Sequence, residues 1–294
     1  MTIVQSVILG ALQGVTEFLP VSSSGHLAIA ERLFQVGDVP PLFNVMLHVA
    51  TLLAVVIYFR KVIGRLLMIL FRAIGQKDEP MNSRPITDAK IATLAPNEQA
   101  GRYTIIMIIM STIVTGAIGM VTSKMLAGIS LAHICVGFLV TAGLLVASSV
   151  VDKIRCVHRA AINGVSGERH LTGINWWQAL IVGFAQGVGT LPGISRSGAT
   201  IAGALFSGVD RRTAGDYSFI VAIPAILGAF LLELKDLDVV AGAVGLLPLL
   251  VGCAAAFVAG YLALAWLMNI IRRGRLEWFA LYLIPAGVLG LIFL

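Results

Sequence analysis

The stretch ALQGVTEFLPVSSSGHLA, at residues 11–28, places a glutamine, a glutamate, three serines and a histidine inside the first apolar segment of the chain. The rest of the composition is that of a protein that lies in a bilayer. Of the 294 residues, 58% are hydrophobic and 12% are charged, and the mean hydropathy is +0.93. Ionisable groups are costly within a bilayer and usually face a functional cavity. The stretch therefore predicts both an integral membrane protein and the place of its functional site.

Six apolar runs are long enough to cross a bilayer, which takes about 17 to 25 residues with flanks. They lie at 43–59, 103–123, 131–151, 217–234, 241–270 and 276–294. We therefore expect an all-α polytopic membrane protein with about six transmembrane helices. Alternate loops hold 17 of the 21 Lys and Arg residues, so the positive-inside rule assigns those loops to the cytoplasm and both termini to the outside. The net charge of +6 then reflects membrane orientation, and no nucleic acid partner is expected.

Two further apolar segments, 1–36 and 175–209, cannot cross, because another crossing would invert the charge pattern of the loops that follow. We expect each segment to enter the membrane, turn near its middle and leave on the same side. The first would enter from outside and the second from the cytoplasm. Non-helical backbone at that depth is tolerated only where it is buried in protein or lines a wet cavity. The two turns should therefore face each other inside the protein.

The same two segments are related in sequence. ILGALQGVTEFLPVSSSGHLA, at 8–28, aligns without a gap with IVGFAQGVGTLPGISRSGATI, at 181–201, so that Gln13 matches Gln186 and Ser22 matches Ser195. This similarity predicts an inverted-topology repeat within a single membrane domain, 1–294. Repeat one covers about 1–123 with hairpin 1–36, a connecting helix covers about 131–151, and repeat two covers about 175–294 with hairpin 175–209. Chance similarity between two apolar segments rich in Gly and Ser is the alternative.

The first segment carries several groups that can do chemistry. Gln13 and Glu17 are four residues apart, so they share one face of a half-helix that Pro20 ends. The three serines that follow begin a second half-helix, where free N–H groups and the helix dipole favour an anion. His26 lies three residues beyond Ser23, within the first turn. We expect these groups to converge on one helix N-terminus. The alternative is that they are structural and only cap the helices.

The second segment adds a cation. TLPGISRSGAT, at 190–200, repeats the proline, the turn and the helix start, and places Arg196 between two serines. A guanidinium inside the membrane costs about 2.5 to 3.5 kcal/mol on insertion scales and needs an anionic partner. Its planar fork matches phosphate oxygens, and Ser195, Ser197 and Thr200 can complete the cradle. An ion pair with Glu17 that joins the repeats is the alternative, and it is compatible with phosphate binding if it forms in the empty site.

The two segments together predict a substrate with a phosphate head and a lipid tail. QGVTEF with SSSGH, PGISRSGAT, and YSFIVAIPAI from Tyr217 resemble the signatures of the bacterial undecaprenyl pyrophosphate phosphatases of the bacitracin-resistance type, over nearly the whole chain. The resemblance implies hydrolysis of undecaprenyl pyrophosphate to undecaprenyl phosphate and phosphate, which recycles the carrier of peptidoglycan synthesis. It also implies the bacterial cytoplasmic membrane, a site open to its outer (periplasmic) face, and Mg²⁺ or Ca²⁺. Whether the protein forms a homodimer stays open.

The resemblance also implies roles for residues. The catalytic residues would be Glu17, Ser23, His26 and Arg196, the substrate-binding residues Gln13, Ser22, Ser24, Ser195, Ser197 and Thr200, and the metal ligands Glu17 and Gln13. Many members carry Glu where this chain has Gln13. A divalent ion would therefore have one charged ligand fewer and would depend more on the phosphates of the substrate.

We expect phosphoryl transfer in which Arg196 neutralises the phosphate oxygens. Ser23 would attack in line, with His26 or Glu17 as the base, and water would then release phosphate. Attack by His26 or directly by water stays open. A lipid or solute transporter is the main rival, because broken helices in an inverted repeat are transporter architecture. A type 2 phosphatidic acid phosphatase is disfavoured, because SRSGATIAGALFSGVD lacks the histidine that this class uses as nucleophile.

Some residues outside these motifs are expected to be structural. Cys135, Cys156 and Cys253 are far apart and form no CxxC pair, so they suggest neither a zinc site nor a disulfide framework. His48 lies in an apolar run, where we expect it to pack between helices; the alternative is that it lines the site.

Overall fold

The computed structural model describes residues 1–34, 41–75, 93–123, 130–163, 173–233 and 244–293, and the regular structure within these ranges is helical. In chain order the elements are α1 (Ile3–Phe18), α2 (Ser23–Leu33), α3 (Pro41–Tyr58), α4 (Arg60–Gly75), α5 (Glu98–Ser123), α6 (Leu131–Asn163), α7 (Trp176–Val188), α8 (Arg196–Phe206), α9 (Arg211–Glu233), α10 (Leu246–Arg273), a 3₁₀ turn (Leu276–Phe279) and α11 (Ala280–Phe293). The expectation of an all-α protein is confirmed for the described residues.

Five spans among the described residues are long and apolar enough to cross a membrane. They lie on α5, α6, α9 and α10 and on the last turn and helix, Leu276–Phe293. Helices α3 and α4 together pass the same test, although they bend by 82° where they meet, so the described spans number up to six. Outward-facing side chains on these helices are apolar, such as Ile113 and Leu262, which are 67% and 64% exposed. The chain is therefore a polytopic membrane protein, as the sequence predicts.

The helix ends differ from the predicted runs. Helix α5 begins at Glu98 instead of 103, and α6 continues from the predicted end at 151 to Asn163. Helix α9 begins at Arg211 instead of 217. The added turns are polar, so hydropathy does not detect them, yet their backbone hydrogen bonds continue the helix beyond the apolar core. The predicted start at 241 lies outside the described residues.

Helix α4 occupies part of the segment that the sequence shows only as a basic loop. It begins with Arg60 and Lys61, buries Val62 and Ile69, and leaves Phe71 68% exposed. It bends by 82° from α3. An amphipathic helix with basic residues and an exposed aromatic side chain suits the membrane interface.

Each predicted turning segment is a pair of short helices joined by a turn. We call α1 with α2 the first hairpin and α7 with α8 the second hairpin. Helices α1 and α7 have 16 and 13 residues, which reach only about 24 Å and 20 Å at 1.5 Å per residue. Both begin alike, because the backbone N–H of Thr2 donates to Gln5 Oε1 and that of Asn175 donates to Gln178 Oε1, each at 2.8 Å. Neither first arm crosses the hydrocarbon core of about 30 Å alone.

Glycines let the first arms pack closely on spanning helices. Helix α1 packs along α10, and α7 packs along α5. A Cβ atom on Gly10 would collide with the carbonyl of Gly252, and one on Gly183 would collide with the carbonyl of Ser111. Small residues at such interfaces allow the backbones to approach, as is usual between membrane helices. Each hairpin is thus fixed on a helix from the other half of the chain.

The two hairpins meet at their turns. Ser197 Oγ donates to the carbonyl of Leu19 at 3.5 Å, and a Cβ atom on Gly198 would lie 3.1 Å from Pro20. Helix α6 packs against both second arms, α2 and α8. The expectation that the turns face each other inside the protein is therefore confirmed, and this contact brings the motif residues together.

Candidate active site

Glu17, near the end of α1, lies at the centre of the site. Its side chain is 3% exposed. The guanidinium of Arg196, the first residue of α8, donates to Glu17 Oε1. Ser23 Oγ, at the start of α2, donates to Glu17 Oε2 at 2.7 Å. A carboxylate, a hydroxyl and a guanidinium from the two hairpins are thus in direct contact, and the ion pair that the sequence offered as an alternative is present.

Two further side chains approach the same carboxylate. Gln13, one turn earlier on α1, donates from Nε2 to Glu17 Oε2 at 2.9 Å. His48 Nδ1, from α3, lies 3.1 Å from Glu17 Oε2 and 2.8 Å from Gln13 Nε2. The expectation that His48 only packs between helices is wrong. The signal that could have found it is the one that singled out Glu17, namely an ionisable side chain inside an apolar run.

The second arms of the hairpins begin in the same way. Ser22 caps α2, since its Oγ accepts from the Gly25 N–H at 3.4 Å. Ser195 caps α8, since its Oγ accepts from the Gly198 N–H at 3.1 Å. Ser22 has a φ of 72°, a conformation that costs non-glycine residues energy and that clusters at functional sites. Two helix N-termini therefore converge beside Glu17, and both favour an anion.

The remaining predicted phosphate ligands lie in the same turns. Ser24 Oγ is 3.5 Å from Ser22 Oγ, and Ser197 Oγ is 3.2 Å from Ser195 Oγ. Thr200 Oγ1 donates to backbone carbonyls one turn earlier, at 3.0 and 3.1 Å. In this state the hydroxyls bond locally, as the helix-cap alternative describes. Hydroxyls can rotate towards a ligand, so capping and phosphate binding do not exclude each other.

A cavity of about 10 Å³ lies beside the ion pair, which is room for about one water molecule. Its polar lining comprises Glu17, Thr51, Arg196, Ser197, Thr200 and Ser218, and its apolar lining comes mainly from α3 and α9. The sequence reasoning missed Thr51 and Ser218. Ser218 is 3% exposed, and its hydroxyl has no hydrogen-bond partner among the described residues. A diphosphate cannot enter unless the contact between Glu17 and Arg196 opens.

The structure does not bring His26 to this carboxylate. His26 Nδ1 lies 2.8 Å from the carbonyl of Ser22, and Nε2 lies 2.6 Å from the hydroxyl of Tyr282. The Ser22 carbonyl can only accept, so Nδ1 carries the proton and Tyr282 donates to Nε2. The imidazole also packs on Phe138, with ring centres 5.0 Å apart. No described hydrogen bond joins His26 to Ser23 or Glu17.

His26 instead borders a second, larger cavity of about 420 Å³. Side chains from α1, α2, α6 and α11 line it, and most are apolar: Leu12, Ile29, Ala30, Leu33, Phe138, Ala286, Leu289 and Phe293. Tyr282 and His26 are its polar side chains. An apolar cavity that adjoins the turn of the first hairpin fits a ligand with a lipid tail.

The donors for a divalent cation are few. Among the described residues there is no group of three or more His, Cys, Asp or Glu side chains placed to hold a metal ion. Gln13 Oε1 is buried and lacks a partner within the described ranges, so it can serve as an oxygen ligand beside the Glu17 carboxylate. Mg²⁺ and Ca²⁺ take six or more oxygens. These residues therefore fit an ion that receives its other ligands from phosphates and water.

Comparisons with known proteins give matches over nearly the whole chain. The family model described as bacitracin resistance protein BacA matches residues 6–289. An undecaprenyl-diphosphatase of Treponema denticola is 42% identical over 288 residues, which cover 98% of this chain and 96% of the relative. An undecaprenyl-diphosphatase of Desulforapulum autotrophicum is 34% identical over 296 residues, covering 99% and 98%. One of Desulfosudis oleivorans is 39% identical over 285 residues, covering 97% and 96%.

Proposed function

Since the chain belongs to the bacitracin resistance protein BacA family, we infer that it is an undecaprenyl-diphosphatase. It hydrolyses undecaprenyl pyrophosphate in the membrane to undecaprenyl phosphate and phosphate, and thereby supports peptidoglycan synthesis and bacitracin resistance. The observation that carries this function is the contact of Arg196 and Ser23 with the Glu17 carboxylate, deep in a polytopic membrane protein. A phosphate-binding group and a nucleophile beside a base are what phosphoryl transfer requires.

Arg196 is the group that binds the terminal phosphate. Its partner in the structure is the Glu17 carboxylate, which resembles phosphate in charge and in the geometry of its oxygens. Ser195, Ser197 and Thr200 lie within one turn of Arg196, so their hydroxyls and the N–H groups at the start of α8 can bind the other phosphate oxygens. Substrate binding exchanges one anion for another at the guanidinium.

Ser23 is the nucleophile and Glu17 is its base, because their oxygens are already hydrogen-bonded at 2.7 Å. Ser23 Oγ attacks the terminal phosphorus and its proton passes to Glu17 Oε2. The bond from that phosphorus to the bridging oxygen breaks, and undecaprenyl phosphate leaves. Water then attacks the phosphoserine, and phosphate is released with Ser23 restored. His26 is less suited to be the base of Ser23, since both its nitrogens have other partners.

Glu17 and the free oxygen of Gln13 would hold a divalent cation, Mg²⁺ or Ca²⁺, which would neutralise negative charge on the phosphates. The polyprenyl chain lies in the apolar cavity beside His26. This position of the tail directs the phosphates towards the turns of the two hairpins.

The protein is a multi-pass protein of the bacterial cytoplasmic membrane, and its site opens to the outer face with both termini outside. Basic residues support this orientation, because Arg60 and Lys61 follow α3 while Arg272 and Arg273 end α10. Helix α1 packs on α10 and α7 packs on α5, so each first arm contacts a helix from the other half of the chain. This symmetry supports an inverted repeat. Association into a homodimer is compatible with this arrangement.

The test is phosphate release from undecaprenyl pyrophosphate by the purified, detergent-solubilised protein, with Mg²⁺, with Ca²⁺ and with excess chelator. We expect stoichiometric formation of undecaprenyl phosphate and phosphate, and faster release with a cation than with chelator. Binding of the lipid without release under every condition would contradict an enzyme and would favour a transporter with the same architecture.

A further inference from the structure

One histidine at the centre of the site has no task in the mechanism above. His48 belongs to helix α3, and its side chain is 29% exposed. Its Nδ1 lies 3.1 Å from Glu17 Oε2. Among the described hydrogen bonds and ion pairs, His48 is the histidine that reaches this carboxylate, because His26 turns towards Tyr282 instead.

The contacts of Glu17 divide between its two oxygens. Oε1 receives Arg196, whereas Oε2 receives Ser23, Gln13 and the approach of His48. When a phosphate draws the guanidinium away, Oε1 loses its partner in the protein. The terminal torsion of a glutamate is broad, so a carboxylate held at one oxygen by its own helix alone can turn. The orientation towards Ser23 then depends on the groups that remain at Oε2.

His48 contacts Glu17 Oε2 from a different helix. Gln13 sits on α1 with Glu17 and moves with it, whereas α3 packs against α9 and α10. Thr51, wholly buried, donates from Oγ1 to the His48 carbonyl at 2.8 Å. A side chain carried by a second packed helix can fix the carboxylate from a direction that α1 does not supply.

The direction of the hydrogen bond between His48 and Glu17 depends on the proton at Nδ1. Nδ1 has a single position for a proton, so it cannot both accept from Gln13 and donate to Glu17. Donation to a carboxylate is charge-assisted and stronger than acceptance from an amide. Two N–H donors cannot face each other at the 2.8 Å between Gln13 Nε2 and His48 Nδ1, so donation to Glu17 requires the Gln13 amide to turn its second N–H away from the ring. In this arrangement the Nδ1–H of His48 donates to Glu17 Oε2.

We propose that His48 is a positioning residue that acts through Glu17: its Nδ1–H holds Oε2 against Ser23 while Arg196 is engaged by phosphate. The inference rests on the proposed function and deepens it. A positioning role predicts a loss in the rate of the chemical step with little change in substrate binding, because His48 contacts the base and not the phosphate-binding groups.

The matched pair of variants is His48→Asn and His48→Leu. The two side chains have nearly the same shape, but only Asn offers an N–H close to where Nδ1 lies. We expect kcat to fall about 10- to 100-fold in His48→Leu with KM within about threefold, and to stay within about fivefold of wild type in His48→Asn. His133→Ala, which removes an exposed histidine at the start of α6, is the control and should leave both constants unchanged.

Two results would overturn the inference: equal kcat in the Asn and Leu variants, or a loss that appears only in KM. Thermal unfolding in detergent should give the same midpoint for the pair, so that a difference in kcat reports on the hydrogen bond. Failure of the wild-type protein to release phosphate would instead contradict the proposed function. An active wild type with equally active Asn and Leu variants would leave the function intact and exclude the positioning role.

Discussion

Arg196 in the second hairpin forms an ion pair with Glu17 in the first hairpin, 179 positions away in the sequence. Both side chains are largely buried, at 22% and 3% exposed. Removal of one member of such a pair leaves an uncompensated charge, which is strongly destabilising. In this pair each charge compensates the other, and a phosphate is the natural replacement for the carboxylate at the guanidinium.

Variants of Arg196 should separate charge from shape. Arg196→Ala removes the phosphate-binding group, and we expect kcat/KM to fall by about 10³ or more. Arg196→Lys keeps the charge but not the planar fork, and should recover only part of the activity. Phosphate release by purified protein measures both. Arg102→Ala, at an exposed arginine of α5, is the matched control, and full activity in Arg196→Ala would contradict the role.

Ser23→Ala tests the nucleophile. If Ser23 attacks, we expect kcat to fall by at least about 10³, and acid-quenched wild-type protein should retain labelled phosphate from the terminal position of the substrate. Ser130→Ala, at an exposed serine before α6, should remain as active as wild type. More than a tenth of wild-type activity in Ser23→Ala, without a labelled protein, would indicate direct attack by water.

Gln13→Glu should change the dependence on divalent cations. Gln13 Nε2 lies 2.9 Å from Glu17 Oε2, so the substitution places two carboxylates in contact. Like charges at this distance repel each other unless a cation lies between them. We expect lower activity than wild type in chelator and a lower Mg²⁺ concentration for half-maximal activity. A titration of phosphate release against free Mg²⁺ measures this, and identical curves would show that no ion binds at this position.

Glycine substitutions test how the hairpins are held. A Cβ atom on Gly183 would collide with α5, whereas the environment of Gly116, on α5 itself, is open. We expect Gly183→Ala to lower the free energy of unfolding by about 1 to 3 kcal/mol. Gly116→Ala should be neutral or slightly stabilising, because alanine favours a helix. Thermal unfolding in detergent compares the two, and equal midpoints would contradict the close packing of α7 on α5.

Much of the site could be predicted because its residues lie in two segments of related sequence. The turn prolines and the serine caps define where each second arm starts, so Ser23 and Arg196 fall on equivalent positions of two helix N-termini. The cost of a carboxylate in lipid singled out Glu17. The contact between the hairpins then followed from the requirement that broken helices be buried in protein.

The contacts of the two histidines could not be predicted from the sequence. The position of His26 on α2 was predictable, but the direction of its ring depends on Tyr282, which is 256 residues away. His48 lies in an apolar run whose hydropathy carries no information about which neighbour it meets. Only the packing of α3 beside α1 places it at Glu17. Contacts between helices distant in sequence decide both outcomes.

The most direct test of this account is the kcat of Glu17→Gln for phosphate release from undecaprenyl pyrophosphate. The amide keeps the size of the side chain and loses both the base and the charge. We predict a fall in kcat of about 10² to 10⁴, while Glu31→Gln, a change on α2 at a carboxylate whose described hydrogen bond is to Asn44, stays within about threefold of wild type. A Glu17→Gln protein with more than a tenth of wild-type kcat would contradict the assignment of Glu17 as the base of Ser23.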